Sequence, residues 1–243
     1  MKKTLGLGLY FVVVNGLALS SAVWAVVSFG RGEYPTAFVV MGIAVAFLGL
    51  ESALVIILAG KVKPRVEVGD RETTIRPDLV VDRLLLWATV VAFVAVAAYA
   101  VFSSQGKINI PPPHGSQRTW TIAAIGLTLT GIANLWSLFT RGGNSFQRLT
   151  PRGFELGQGV TSVHGEWEDV IDIADRRPGR RLPVRATLFV KFSDGKIRTQ
   201  AIDSYTPGGE ALRRLVRYYW INADRRDELA DGRAIERLTE YLG

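Results

Sequence analysis

The chain has 243 residues, a formal net charge of +7 and no cysteine, and 48% of its residues are hydrophobic. Without cysteine it can have neither a disulfide framework nor a thiolate nucleophile or metal ligand, and its 2 histidines are too few for a histidine-rich metal site. The apolar residues lie mostly in long runs before about residue 140, whereas the charged residues are concentrated after it. This division predicts a membrane domain over residues 1–140 and a soluble domain over residues 141–243.

Four apolar runs in the first domain are long enough to cross a bilayer, since a spanning helix needs about 20 mostly apolar residues. They cover residues 5–29, 37–58, 84–102 and 119–139. The first run also has features of a secretory signal peptide, because a basic start and an apolar stretch precede a Val-x-Ala site at residues 23–25. The run continues to Phe29, which is longer than a usual signal core and favours a retained helix. The prediction is therefore a bundle of four spanning helices.

The distribution of lysine and arginine predicts how these helices are oriented. Basic residues precede the first run, recur through the loop at residues 59–83 and follow the fourth run, whereas the other two connections contain few. Such residues accumulate on the cytoplasmic side of a membrane. With four crossings all the basic segments fall on one side, so we expect a multi-pass protein of the plasma (inner) membrane with both termini cytoplasmic. The prolines at residues 111–113 would then be extracytoplasmic.

The loop at residues 59–83 alternates valine and isoleucine with polar residues around a Gly-Asp pair at residues 69–70. This pattern is typical of a short cytoplasmic hairpin. A solvated loop fits the same composition equally well, and the sequence leaves both alternatives open.

A single acidic residue, Glu51, interrupts the second apolar run. On a helical wheel it shares a face with five apolar residues: Ala44, Phe47, Leu48, Leu54 and Val55. The nearly opposite face carries a stripe of small residues that would let another helix approach closely: Gly42, Ala46, Gly49 and Ala53. The face suited to tight helix packing is therefore not the face that carries the carboxyl group.

Three interpretations of Glu51 compete, because an acidic side chain inside a membrane is costly and indicates a function by default. In the first, the carboxyl is protonated and hydrogen-bonded within the bundle, with Asn15 or Asn134 as its partner. In the second, it faces another membrane protein and binds a polar group there. In the third, it relays protons or binds a cation in a transport path. No run contains an internal proline, lysine or arginine, which is atypical of a transporter.

The second domain has the pattern of a small antiparallel sheet followed by helices. Residues 146–159 predict two short strands joined at residues 151–153, and residues 166–175 predict another strand. Residues 185–202 predict a hairpin around Asp194-Gly195, a favoured turn pair. After residue 209 the period becomes helical, with Leu212, Leu215, Val216 and Tyr219 on one face. A second helix is expected over residues 225–242. The fold class is thus a membrane helical bundle followed by an α+β domain.

The segments LTPRGFEL (residues 149–156) and WEDVIDI (residues 167–173), the Asp-Gly hairpin and the terminal amphipathic helix together resemble the bacterial pleckstrin-homology-like domain. The tail RRLVRYYWINADRRDELADGRAIERL is similar to that of PH-like membrane proteins of mycobacteria. Four spanning helices followed by this tail resemble the accessory subunits of mycobacterial Mce-type lipid importers. The resemblance implies a small sheet or barrel closed by a C-terminal helix. It also implies a role in binding and stabilising a permease–ATPase assembly that imports fatty acids.

Basic clusters in the second domain suggest contact with anionic lipid headgroups, the strongest being Arg176, Arg177, Arg180 and Arg181. Ordinary solvated arginines, interleaved with acidic residues, are the favoured interpretation of these clusters. The balance of basic and acidic residues argues against nucleic acid as a partner. No P-loop, zinc-protease or nucleophile-elbow motif is present. We therefore expect a non-enzymatic accessory subunit without a cofactor, whose partners are membrane lipids and other integral subunits such as a permease and an ATPase. The alternatives are a lipid-sensing or membrane-surface-sensing regulatory module and, third, a proton- or ion-coupled transporter that uses Glu51.

Overall fold

The computed structural model describes residues 2–110, 116–140, 145–158, 161–174 and 186–243, with the backbone alone at residues 2–5, 7, 133, 134 and 137–139. The chain forms two compact units. The first, the helical unit, contains Met1–Ala53 and Arg83–Gly142. The second, the sheet unit, contains Leu54–Asp82 and Gly143–Gly243.

Four long helices follow from the apolar runs: α1 (Lys2–Gly30), α2 (Tyr34–Leu58), α3 (Leu79–Ser104) and α4 (Gln117–Thr140). Among the described residues, three stretches are long and apolar enough to cross a membrane, namely Gly8–Gly30, Tyr34–Leu58 and Leu79–Ser104. These helices indicate a membrane protein. The fourth predicted span is helical within α4, but α4 is not among those three and its crossing stays a prediction.

The loop between α2 and α3 folds as a hairpin of β1 (Arg65–Gly69) and β2 (Glu72–Arg76). Strand β2 then pairs with β3 (Ser145–Leu149), with Thr73 opposite Leu149 and Ile75 opposite Gln147. The side chain of Ile75 is fully buried in the core of the sheet unit, and removing it from water favours this pairing. The predicted division at residues 140 and 141 assigns the loop to the membrane domain, whereas the observed pairing joins it to the C-terminal strands.

The sheet unit contains two antiparallel sheets. The larger follows the order β1-β2-β3-β4-β5, with β4 at Gly153–Gln158 and β5 at Thr161–Glu166. The smaller contains β6 (Val170–Ala174), β7 (Thr187–Phe192) and β8 (Ile197–Ala201). The hairpin predicted around Asp194-Gly195 is confirmed as β7–β8, and Gly195 supplies the positive φ of 78° that its turn requires.

Helix α5 (Glu210–Ile221) packs its predicted apolar face into the same core as both sheets, because Leu212, Leu215, Val216 and Tyr219 are all fully buried. The prediction of one helix over residues 225–242 is wrong. The segment forms a short 3₁₀ turn at Ala223–Arg225 and two helices, α6 (Glu228–Asp231) and α7 (Arg233–Leu242). Gly232 separates α6 from α7 with a φ of 87°, a conformation that ends a helix.

Candidate functional site

Helix α2 contacts α3 through the two glycines of its small-residue stripe. A Cβ added at Gly42 would lie 2.8 Å from the Cβ of Ala95, and one at Gly49 would lie 3.1 Å from the Cβ of Ala88. Ala53 of the stripe is fully buried and Ala46 is half-buried. The absence of side chains at Gly42 and Gly49 therefore permits the close approach of these two helices.

The carboxyl group of Glu51 contacts α1. Asn15 Nδ2 donates a hydrogen bond to Glu51 Oε1, and the same amide donates to the carbonyl oxygen of Phe11 at 2.9 Å. Glu51 is only 8% exposed. The structure thus brings together two of the residues selected from the sequence, Glu51 and Asn15. The side chain of Asn134, the other partner considered, lies outside the described residues.

The rest of the Glu51 face divides into a half-buried and an exposed part. Phe47 and Leu54 are half-buried, whereas Leu48 is 48% and Val55 is 50% exposed. Helix α2 therefore has a buried polar contact to α1 beside an apolar edge formed by Leu48 and Val55. In a spanning segment such an edge meets either lipid or another protein.

The Glu51–Asn15 pair is suited to hydrogen bonding and to few other kinds of chemistry. The partner that the structure gives Glu51 is a neutral amide, and hydrogen bonds between polar side chains stabilise helix association inside a membrane. No group of three or more metal-ligating side chains occurs in the part of the chain that the structure describes. The pair therefore suits an interhelical hydrogen bond that fixes α1 against α2.

Asp78, which the sequence reasoning did not select, fixes the start of α3. Its Oδ1 accepts hydrogen bonds from the backbone N–H groups of Val80 (2.8 Å) and Val81 (3.2 Å), as an N-cap does. Its Oδ2 accepts one from the Lys63 N–H at 2.9 Å, and its own N–H donates to the Ser204 carbonyl at 3.0 Å. The sequence signal was an aspartate directly before an apolar helical run.

The hairpin is also tied to the C-terminal helices. Thr73 Oγ1 in β2 donates a 2.7 Å hydrogen bond to the carbonyl oxygen of Leu229 in α6. The neighbouring Glu228 is buried and accepts from Arg237 at 2.8 Å and from the Tyr219 hydroxyl at 3.2 Å. Burial, reinforced by the charge of Glu228, raises the pKa of Tyr219. Several charges of the tail thus stabilise the fold internally.

A buried polar network joins the two sheets. Gln147 Nε2 in β3 donates to Gln200 Oε1 in β8 at 2.7 Å, and Gln200 Nε2 donates to the Gly157 carbonyl in β4 at 3.1 Å. The Tyr205 hydroxyl accepts from Gln200 and donates to Ser145 Oγ at 2.8 Å. Burial raises the pKa of Tyr205, so this phenol stays protonated at physiological pH. The network therefore strengthens the sheet unit.

The proposed lipid-contacting cluster of Arg176, Arg177, Arg180 and Arg181 lies outside the described residues. No protein-family model, curated protein or solved structure matches the chain. The protein is of the membrane class, with apolar helices followed by an antiparallel-sheet unit that ends in helices.

Proposed function

We propose that the protein is a non-enzymatic integral membrane accessory subunit that docks to and stabilises a larger membrane complex, specifically a lipid or fatty-acid import system. The role is that of LucB, the accessory subunit of mycobacterial Mce-type importers, which the sequence resembles. The observation that carries the proposal is the pairing of β2 with β3. It joins a loop between two long apolar helices to the C-terminal domain, so that one folded unit includes the end of α2 and the start of α3.

The same pairing supports a topology of four crossings. The chain leaves the five-stranded sheet at Arg76 and returns to it at Ser145. If α3 crosses the membrane once, the chain must cross again before Ser145, and α4 is the segment between them. The basic residues of the loop favour the cytoplasmic side for this unit. Two antiparallel sheets and a C-terminal helix support a PH-like domain, a scaffold used for many unrelated interactions.

The docking surface that we propose is the exposed edge of α2 formed by Leu48 and Val55. On the adjoining part of α2, the buried side chain of Glu51 is hydrogen-bonded to Asn15 of α1. This contact holds the edge in a fixed orientation. A partner helix that packs against this edge would cover two half-exposed apolar side chains. Close packing is what drives helix association in lipid, so a bulky residue here should prevent docking.

The test is affinity purification of the tagged protein from its native membranes in mild detergent, followed by mass spectrometry. We expect stoichiometric recovery of a permease and an ATPase with the wild-type chain. Leu48→Trp should abolish that recovery, whereas Leu129→Trp, at a 64% exposed position of α4, should retain it. Recovery of the protein alone, under conditions that keep other membrane complexes intact, would contradict the proposal and favour lipid sensing.

Glu51→Gln separates the accessory subunit from the transporter alternative. Glutamine keeps a hydrogen-bonding group beside Asn15 but cannot exchange a proton. If the protein is an accessory subunit, the Glu51→Gln variant should retain its partners. The purified wild-type protein in vesicles should then show no proton- or ion-coupled flux. Proton- or ion-coupled flux that is present with the wild-type chain and lost in Glu51→Gln would establish the transporter instead.

A further inference from the structure

The helical unit contains a groove of about 1220 Å³ between α1, α2 and α3. Its lining is apolar except for the hydroxyl of Tyr34. The volume exceeds the roughly 300–1,000 Å³ of a typical small-molecule pocket. All three helices are long and apolar enough to span a membrane, so hydrocarbon chains rather than water are the solvent around the groove.

The groove arises from a contrast in side-chain size along these helices. Gly42 and Ala95 bring α2 and α3 into close contact. Ala97 and Ala98 on α3 also line the groove, and their side chains are too small to fill the space beside the Gly42–Ala95 contact. Large rings contribute to the lining from each helix, namely Phe29, Phe38 and Phe102. A flexible alkyl chain can fill such an irregular apolar space.

Two cations lie close in sequence to one end of this lining. Arg31 follows Phe29 at the end of α1, and the N–H of Lys107 donates to the carbonyl oxygen of Phe102 at 2.9 Å. Both side chains are exposed, and neither forms an ion pair within the described part of the chain.

The backbone that carries the two cations is held in place. The N–H of Asn109 donates to Thr36 Oγ1 and its side-chain amide donates to Glu33 Oε1, each at 3.0 Å. These bonds tie the segment after α3 to the turn that carries Arg31. With Arg31, Lys107 and the carboxylate of Glu33, residues 31–36 and 105–110 carry a net charge of +1 close to the end of an apolar groove, which complements a lipid phosphate.

We propose that this groove binds an anionic glycerophospholipid, with its acyl chains along the apolar lining and its phosphate near Arg31 and Lys107. A partner's apolar helix would fill the groove but would bring no negative charge to Arg31 and Lys107 in addition to that of Glu33. The inference rests on the membrane placement of the helices and not on the partner complex. It is therefore tested with the purified protein alone.

The experiment is native mass spectrometry of the protein purified from nanodiscs that contain equal amounts of phosphatidylglycerol and phosphatidylcholine. We expect retained phosphatidylglycerol to exceed phosphatidylcholine by about 25-fold, since each of the two basic residues near an anionic lipid contributes about fivefold. The double variant Arg31→Gln/Lys107→Gln should lose this preference, and both positions are exposed, so folding should be unaffected. Its matched control is Lys61→Gln/Arg71→Gln, two exposed cations of the sheet unit.

Filling the groove gives an independent test. Ala98→Trp should abolish retention of both lipids, whereas Ala123→Trp, at an exposed position of α4 away from the groove, should retain the wild-type pattern. Equal retention of the two lipids by the wild-type chain, unchanged in the double cation variant, would mean annular lipid only and would overturn the proposal. Loss of partner recovery in Ala98→Trp with unchanged lipid retention would assign the groove to a protein helix instead.

Discussion

Ile75→Ala should destabilise the sheet unit by about 3 kcal/mol, although residue 75 lies in a short loop between two apolar helices. Its side chain is 0% exposed and belongs to the core formed by both sheets and α5. The substitution removes three buried carbons at about 0.8 kcal/mol each. The cavity left behind adds to this cost, and buried isoleucine-to-alanine changes typically cost about 2–5 kcal/mol.

Hydrogen exchange of the detergent-solubilised protein, measured by mass spectrometry, reports this change within the intact chain. Amides of residues 145–158 pair directly or indirectly with β2, so their protection depends on the stability of the whole unit. A loss of about 3 kcal/mol should accelerate their exchange by roughly 150-fold, because every 1.4 kcal/mol is tenfold. Ile171→Ala, at a 53% exposed position in β6, is the matched control and should change exchange only slightly.

A small effect of Ile75→Ala, equal to that of Ile171→Ala, would contradict the reasoning. It would mean that residues 65–76 form a solvated loop between α2 and α3 and that β2 does not pair with β3. The sheet unit would then consist of residues 143–243 alone, and the topological argument for α4 would lose its support.

Three further predictions test other contacts. Gly42→Ala should weaken the α2–α3 contact and lower the melting temperature, because its Cβ would meet Ala95, whereas Gly126→Ala, with no atom within 4 Å, should not. Thr73→Val should cost about 1 kcal/mol and accelerate amide exchange around Leu229, whose carbonyl loses its donor. Burial raises the pKa of Tyr205 above its ordinary value of 10.0, so the folded protein holds that proton more tightly than the unfolded chain. The free energy of unfolding should thus decrease as the pH rises above about 10, and less steeply in Tyr205→Phe.

The local elements of this fold are readable from the sequence because each rests on neighbouring residues. Long apolar runs predict α1, α2 and α3, and Asp194-Gly195 between two β-rich arms predicts the β7–β8 hairpin. The helical period after residue 209 identifies the buried face of α5. The helical wheel separates Glu51 from the glycine stripe, and in the structure Glu51 contacts α1 whereas the glycines contact α3.

The pairing of β2 with β3 could not be predicted in the same way. The alternation of apolar and polar residues identifies a strand but not the strand with which it pairs. In addition, two long helices separate Thr73 from Leu149 in the sequence. The break at Gly232 was not predicted because a glycine inside a helix lowers its stability by only about 1 kcal/mol. The helical spacing of the apolar residues on both sides therefore indicates one continuous helix. Among the candidate residues, the contact of Glu51 with Asn15 depends on how α1 and α2 are arranged, which the pattern of a single helix does not contain.

The most direct test of the proposed role is site-specific photocrosslinking in growing cells, with a photoreactive amino acid at position 48 and, in a second strain, at position 129. Both positions carry exposed leucines of apolar helices, but only Leu48 lies on the proposed docking edge. We predict that position 48 forms one discrete adduct, with an integral membrane subunit of a transport complex, and that position 129 forms none. The absence of an adduct at position 48, or the same diffuse labelling from both positions, would contradict the account.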